Sequence, residues 1–135
     1  MATKIFVNLP VKDLHRSVEF FTKLGYSFNP NFTDENATCM IVTEDIYVML
    51  LVEPYFQSFT KKAIPDTSKT SEVTICFSAE SRSEVEEFIK RALDAGGKFV
   101  KEPQEYPFMY GDSFEDLDGH IWEIMWMDPS AIPQA

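Results

Sequence analysis

"RSVEFFTKLGYSF", residues 16 to 28, and "RSEVEEFIKRALDAGGKF", residues 82 to 99, are two versions of one plan. Each opens with polar residues, continues with apolar side chains at helical spacing, stops at glycine and leaves through an aromatic residue. In the first, Asp13 stands at the N-cap position, Leu14, Val18, Phe21 and Leu24 recur on one helical face, and Gly25 is the stop. In the second, Ser81 and Glu84 form a capping box, Val85, Phe88, Ile89, Ala92 and Leu93 supply the apolar face, and Gly96 and Gly97 end it. The spacing predicts helices over residues 14–24 and 83–95.

Working outward from the two helices, β-rich runs fall in matching places. "KIFVNLPV" precedes the first helix; "ATCMIVT" and "IYVMLLVE" follow it, joined by a tight turn at "ED". "EVTICFSAE" precedes the second helix, and "KFVKEP", "PFMYGDSFED" and "HIWEIMWMD" follow. This is a duplication with a period of about 70 residues, too long for a solenoid and suited to two βαβββ modules. One domain, 1–135, is expected, with module one over 3–53, a linker over 54–71 and module two over 72–128. The expected fold class is α+β: a curved, mixed, largely antiparallel sheet around a cavity, with the helices on its outer face. In the linker, Tyr55, Phe56 and Phe59 are too apolar for a solvated loop; they either cap the cavity or a partner surface, or close the core.

Composition narrows the function. The chain carries a formal net charge of -10 and has no basic cluster larger than a pair such as Lys61–Lys62, so nucleic-acid binding is excluded as a reading, because phosphate neutralisation supplies most of that affinity. A cationic small ligand suits this field better than an anionic one. No apolar run reaches the roughly 18 residues of a membrane span, and "MATKIFVNLP" lacks a basic region followed by an apolar stretch. Neither membrane nor secretory signal is expected, and a cytoplasmic location is. Cys39 and Cys76 form no C-x-x-C and read as small buried hydrophobes.

One charge stands out. In "FEDLDGHIWEIMWMD", residues 114 to 128, Glu123 sits inside an apolar strand. Alternation puts it on one face with Ile121 and Met125, while Trp122, Ile124 and Trp126 point the other way. Two readings stay open: Glu123 is half of a structural pair, or it is a cavity carboxylate that acts as a base or meets a polar ligand group.

"NLPVKDLHRSVEFFTKLGYSF", the tandem βαβββ plan and "FEDLDGHIWEI" together resemble the vicinal oxygen chelate superfamily of glyoxalase I, bleomycin- and fosfomycin-resistance proteins and extradiol dioxygenases. The resemblance spans essentially the whole chain. It implies a cavity in which metal-dependent members hold a divalent ion by His, Gln or Glu, at positions that fall here on Phe6, Leu50, Thr74 and Glu123. Only Glu123 is a good donor, so no metal and no other cofactor is expected; a divalent metal would need ligands other than these. His15 and His120 read as surface or capping residues. Alternation, with the Glu123 face taken as the cavity face, gives a lining of Phe6, Asn8, Val48, Leu50, Thr74, Cys76, Ile121, Glu123 and Met125. Tyr106, Phe108 and Tyr110 add either a stacking wall or core.

The expected function is a metal-free homodimer of the bleomycin-resistance kind that binds a small organic ligand in the cavity, with Phe6, Asn8, Leu50, Thr74, Cys76, Phe108, Tyr110 and Met125 as contacts. The alternatives are a superfamily lyase, isomerase or dioxygenase using Glu123 as its base, and an interaction protein whose cavity has collapsed.

Overall fold

In the computed structural model, residues 3–131 are described. The chain divides between Asp66 and Thr67 into two compact units, inside the stretch read as a linker. Each unit is one module.

Module one runs β1 (Ile5–Val11), α1 (Leu14–Lys23), β2 (Ser27–Phe28), a 3-10 turn (Pro30–Phe32), β3 (Ala37–Ile41), β4 (Ile46–Val52) and a short α2 (Glu53–Gln57). Its strands lie in the order β1-β4-β3-β2, with β1 parallel to β4 and the other pairs antiparallel. Asp13 caps α1 by accepting the Arg16 N–H at 3.2 Å. The buried face of α1 is Ser17, Phe20 and Phe21, and it shares the module's core with Leu9, Val11, Met40, Val48 and Leu50.

Module two runs β5 (Thr74–Ser78), α3 (Arg82–Asp94), β6 (Lys98–Phe99), β7 (Gln104–Tyr106), β8 (Met109–Glu115), β9 (Ile121–Met127) and a 3-10 turn (Pro129–Ala131). The order is β5-β9-β8-β6, with β7 also on β8. β5 is parallel to β9, as β1 is to β4. Ser81 accepts the Glu84 N–H at 3.1 Å, and the Glu84 carboxylate reaches back to the Glu80 N–H at 3.0 Å. Val85, Ile89 and Ala92 of α3 are buried with Phe114, Trp122 and Ile124. Leu93, expected on that face, is 39% exposed.

The duplication extends to the helix stops. α1 and α3 both end in a glycine at positive φ, Gly25 at 103° and Gly96 at 112°, a conformation that costs a side-chain-bearing residue free energy. The expected helices and the βαβββ order are therefore present in each unit.

Two elements depart from the expectations. "EPYFQ" is helical because Pro54 sits in the first turn, where a missing N–H costs nothing. "KFVKEP" gives only the two residues of β6, and "PFMYGDSFED" pairs from Met109 onward, facing β7 across a turn at Pro107 and Phe108.

Candidate functional site

Each sheet has one face covered by its long helix and a second face that carries the chemistry. In module one the register sorts the residues. Leu9 pairs with Leu50 and Val7 with Val48 on the side of α1, whereas Phe6 pairs with Tyr47 and Asn8 with Met49 on the opposite side. On that opposite side α2 packs against β1 and β4. Between helix and sheet lies a cavity of about 350 Å³, lined by Asn8, Met49, Leu51, Tyr55, Phe56, Phe59 and Thr60. Tyr55 and Phe59 meet edge to face at 5.0 Å. The lining is apolar with a few polar handles, the make-up of an organic-ligand site.

This register corrects two assignments. Leu50 and Val48 are fully buried and belong to the α1 side of the sheet, and Met49 occupies the cavity in their place. The physical reason is that β4, "IYVMLLV", is apolar on both faces, so alternation has no polar residue to fix its phase. Of the other expected residues, Asn8 lines the cavity. Phe6 is on the same side, stacked on Tyr47 at 4.9 Å and 53% exposed, but it is not among the lining residues.

In module two alternation has the expected phase. Trp122 and Ile124 are buried on the α3 side, and Glu123 lies on the other face between Cys76 of β5 and Ser113 of β8, its partners in register. Glu123 is half-buried, and its carboxylate makes no hydrogen bond or ion pair among the described residues. That disfavours the structural-pair reading. Beside it is a small pocket of about 30 Å³, lined in part by Cys76, Lys101, Glu102, Asp112, Ser113, Glu123 and Met125. Ser113 is 3% exposed, and its Oγ has no hydrogen-bond partner among the described residues. Partial burial, and then the charge of Glu123, push the Cys76 thiol above its ordinary range. Burial, and then Glu102, push the Asp112 carboxyl up against the hydrogen bond from the Ser113 N–H.

The remaining expected residues fall elsewhere. Thr74 is on the Glu123 face but exposed and outside the pocket. Cys76, read as a buried hydrophobe, is exposed on the edge strand β5; Cys39 is buried. Phe108 sits in the β7–β8 turn, 42% exposed and stacked on Tyr106 at 5.9 Å. Tyr110 pairs with Trp126 on the α3 side, and the Arg82 guanidinium lies over its ring at 4.3 Å, so it is core rather than a stacking wall of the pocket. His15 is exposed, with Glu19 at 3.2 Å.

The "EDLDGH" stretch has a structural explanation in Asp116, which is buried. Its Oδ1 accepts the Asp118 and His120 N–H groups at 2.9 and 3.0 Å, and its Oδ2 accepts the Trp122 Nε1–H at 2.8 Å. One carboxylate thus shapes the turn and anchors the strand that presents Glu123.

The metal expected of the wider superfamily does not fit. Phe6, Leu50, Thr74 and Glu123 offer an aromatic ring, an aliphatic chain facing away, an exposed hydroxyl and one carboxylate. Among the described residues no group of three or more His, Cys, Asp or Glu side chains is arranged to hold a metal ion. Likewise, no described helix is long and apolar enough to cross a membrane.

Comparison with known proteins agrees with this geometry. Residues 3–46 match the family described as bleomycin resistance protein-like N-terminal. No curated protein sequence matches the chain. Among solved structures, a hypothetical protein from S. aureus is 28% identical with a TM-score of 0.78, over 93% of this chain and 95% of its own. A glyoxalase/bleomycin resistance protein/dioxygenase family enzyme from Burkholderia phytofirmans shares the fold at 14% identity and a TM-score of 0.77, over 93% of this chain and 99% of its own. A fosfomycin resistance protein from Listeria monocytogenes does so at 15% identity and a TM-score of 0.68, over 96% and 97%. The paired βαβββ modules, the bleomycin-resistance-like match in the first and the whole-chain likeness to solved glyoxalase, bleomycin-resistance and fosfomycin-resistance structures give this chain the vicinal oxygen chelate fold.

Proposed function

We propose that this protein binds a small amphipathic organic molecule in the aromatic cavity of module one, without a metal. The observation that carries the reading is the cavity itself: about 350 Å³, walled by Met49, Leu51, Tyr55, Phe56 and Phe59, with Asn8 and Thr60 as polar contacts. That volume lies in the range of small-molecule sites, and the acidic balance of the chain favours neutral or cationic ligands over anionic ones. A thermal-shift screen of metabolites and antibiotics tests it. A true ligand at a hundredfold its dissociation constant stabilises the protein by about 2.7 kcal/mol. The double substitution Tyr55→Ala, Phe59→Ala removes that shift. A shift that survives the double substitution places the ligand elsewhere and overturns the reading.

A second reading, catalysis with Glu123 as general base, is favoured by one observation: a half-buried carboxylate with no ion-pair partner among the described residues. Glu123→Gln distinguishes the two, since turnover disappears under the second reading and binding in module one persists under the first.

A homodimer belongs to the same proposal. Phe32, Phe59, Val73 and Phe99 are each more than half exposed, a liability for a lone chain. Sedimentation at micromolar concentration giving the mass of one chain removes this part.

A further inference from the structure

We infer that the small pocket of module two is a recognition subsite for a primary ammonium group, with Ser113 Oγ and the Glu123 carboxylate as its acceptors. The inference stands on module two alone and is independent of the aromatic cavity.

Three features converge. The first is the hydroxyl of Ser113, buried with no hydrogen-bond partner among the described residues. Such a group is destabilising unless something occupies its lone pairs, so its presence at a pocket wall points to an occupant. The second is Glu123, directly across the strand pair from Ser113 and on the same face, with no hydrogen bond or ion pair among the described residues. Two acceptors therefore line one pocket. The third is charge. Glu102 and Glu123 line it against Lys101, two carboxyl groups to one ammonium, which favours a cation.

Size selects among cations. The pocket of about 30 Å³ admits at least one water-sized group. An –NH3⁺ head is of that size and carries three donors, enough for both acceptors at once. A guanidinium is larger and planar, and a trimethylammonium is larger still and has no N–H to give. No group of three or more His, Cys, Asp or Glu side chains among the described residues is arranged here to hold a metal ion. Cys76 adds little as an acceptor, its thiol being a weak one.

The same chemistry comes from a free alkylamine or from a lysine side chain of a peptide. Amide chemical shifts of β8 and β9 in the full chain, titrated with n-butylammonium, n-butanol, tetramethylammonium and a lysine blocked at both termini, test the site and separate the sources. Butylammonium is expected to move Ser113, Glu123 and their strand neighbours, with butanol and tetramethylammonium at least about tenfold weaker. The blocked lysine binding more tightly than butylammonium assigns the site to peptides, and the reverse assigns it to small amines. Ser113→Ala and Glu123→Gln each weaken butylammonium by about tenfold, and Lys101→Ala strengthens it. Both weakening variants are expected to melt no lower than the parent, so loss of binding is not loss of fold. Equal binding of butanol, an unchanged affinity in Ser113→Ala, or no shift in β8 and β9 overturns the inference.

Discussion

Module one and module two share a strand order, a parallel pair between first and last strands, and a glycine at positive φ after the long helix. Their helix-covered faces do the same job with different residues, Phe20, Phe21 and Leu50 in one and Ile89, Phe114 and Trp122 in the other. Their second faces do not. Module one presents aromatic rings and thioether around a cavity of about 350 Å³; module two presents a carboxylate, a thiol and a hydroxyl around one of about 30 Å³. The difference teaches that the fold constrains only the face packed on the helix, where a buried polar group is costly, and leaves the other free to carry unlike chemistry.

The largest effect is expected where the two modules are most alike, on the packed side. Trp122→Ala removes a buried ring that stacks on Phe114 and donates to Asp116, and it is expected to cost about 3–5 kcal/mol in a urea titration. A loss under about 1 kcal/mol breaks the claim that this face holds module two together.

Next comes a pair in module one that tests its two faces against each other. Leu50→Ala is expected to cost about 2–5 kcal/mol and to leave the intrinsic affinity of any cavity ligand unchanged. Met49→Ala, on the half-exposed side, is expected to cost less and to weaken that ligand. Reversal of the two patterns restores the original phase of β4.

Smaller and opposite in sign is Ser113→Ala. Removing a buried hydroxyl that lacks a partner is expected to raise stability by about 1 kcal/mol in the absence of any ligand. Glu123→Gln, which strands no ion-pair partner among the described residues, stays within about 0.5 kcal/mol of the parent. A drop of several kcal/mol instead means that Glu123 holds a structural pair after all.

The subtlest concerns Cys76. Its thiol is raised by partial burial and by Glu123, so its thiolate fraction near neutral pH is lower than that of an unperturbed cysteine. Glu123→Gln removes the second cause, lowers the pKa and speeds alkylation by iodoacetamide. An unchanged rate separates the two side chains electrostatically.

The sequence made module two easier to read than module one. In β9 a carboxylate between tryptophan and isoleucine fixes the phase of the strand, and Glu123 and Met125 lie on the expected face. In β4 no such marker exists, and the position that the resemblance implies falls on Leu50, on the α1 side, whereas Met49 faces the cavity. The sequence leaves Tyr110 open between stacking wall and core because the aromatic residues in "YPFMYG" straddle a turn, and the pairing with Trp126 shows its side. α2 had a usable signal in Pro54 after Glu53, whereas β7 had none, since "QEY" has no apolar alternation. Ser113 was invisible: nothing in "MYGDSFED" distinguishes a serine that will be buried without a partner from one that faces water.

The placement of Trp122 has an optical consequence. The chain has two tryptophans, Trp122 and Trp126, both in β9 of module two, while module one absorbs only through Tyr26, Tyr47, Tyr55 and its phenylalanines. Selectively excited indole emission therefore comes from one half of the duplication alone. Ellipticity in the far ultraviolet sums both halves. Recorded together along one denaturant series, the two signals form a natural ratiometric gauge: superimposable curves mean that the halves come apart as one cooperative unit, and displaced midpoints give the order in which they go.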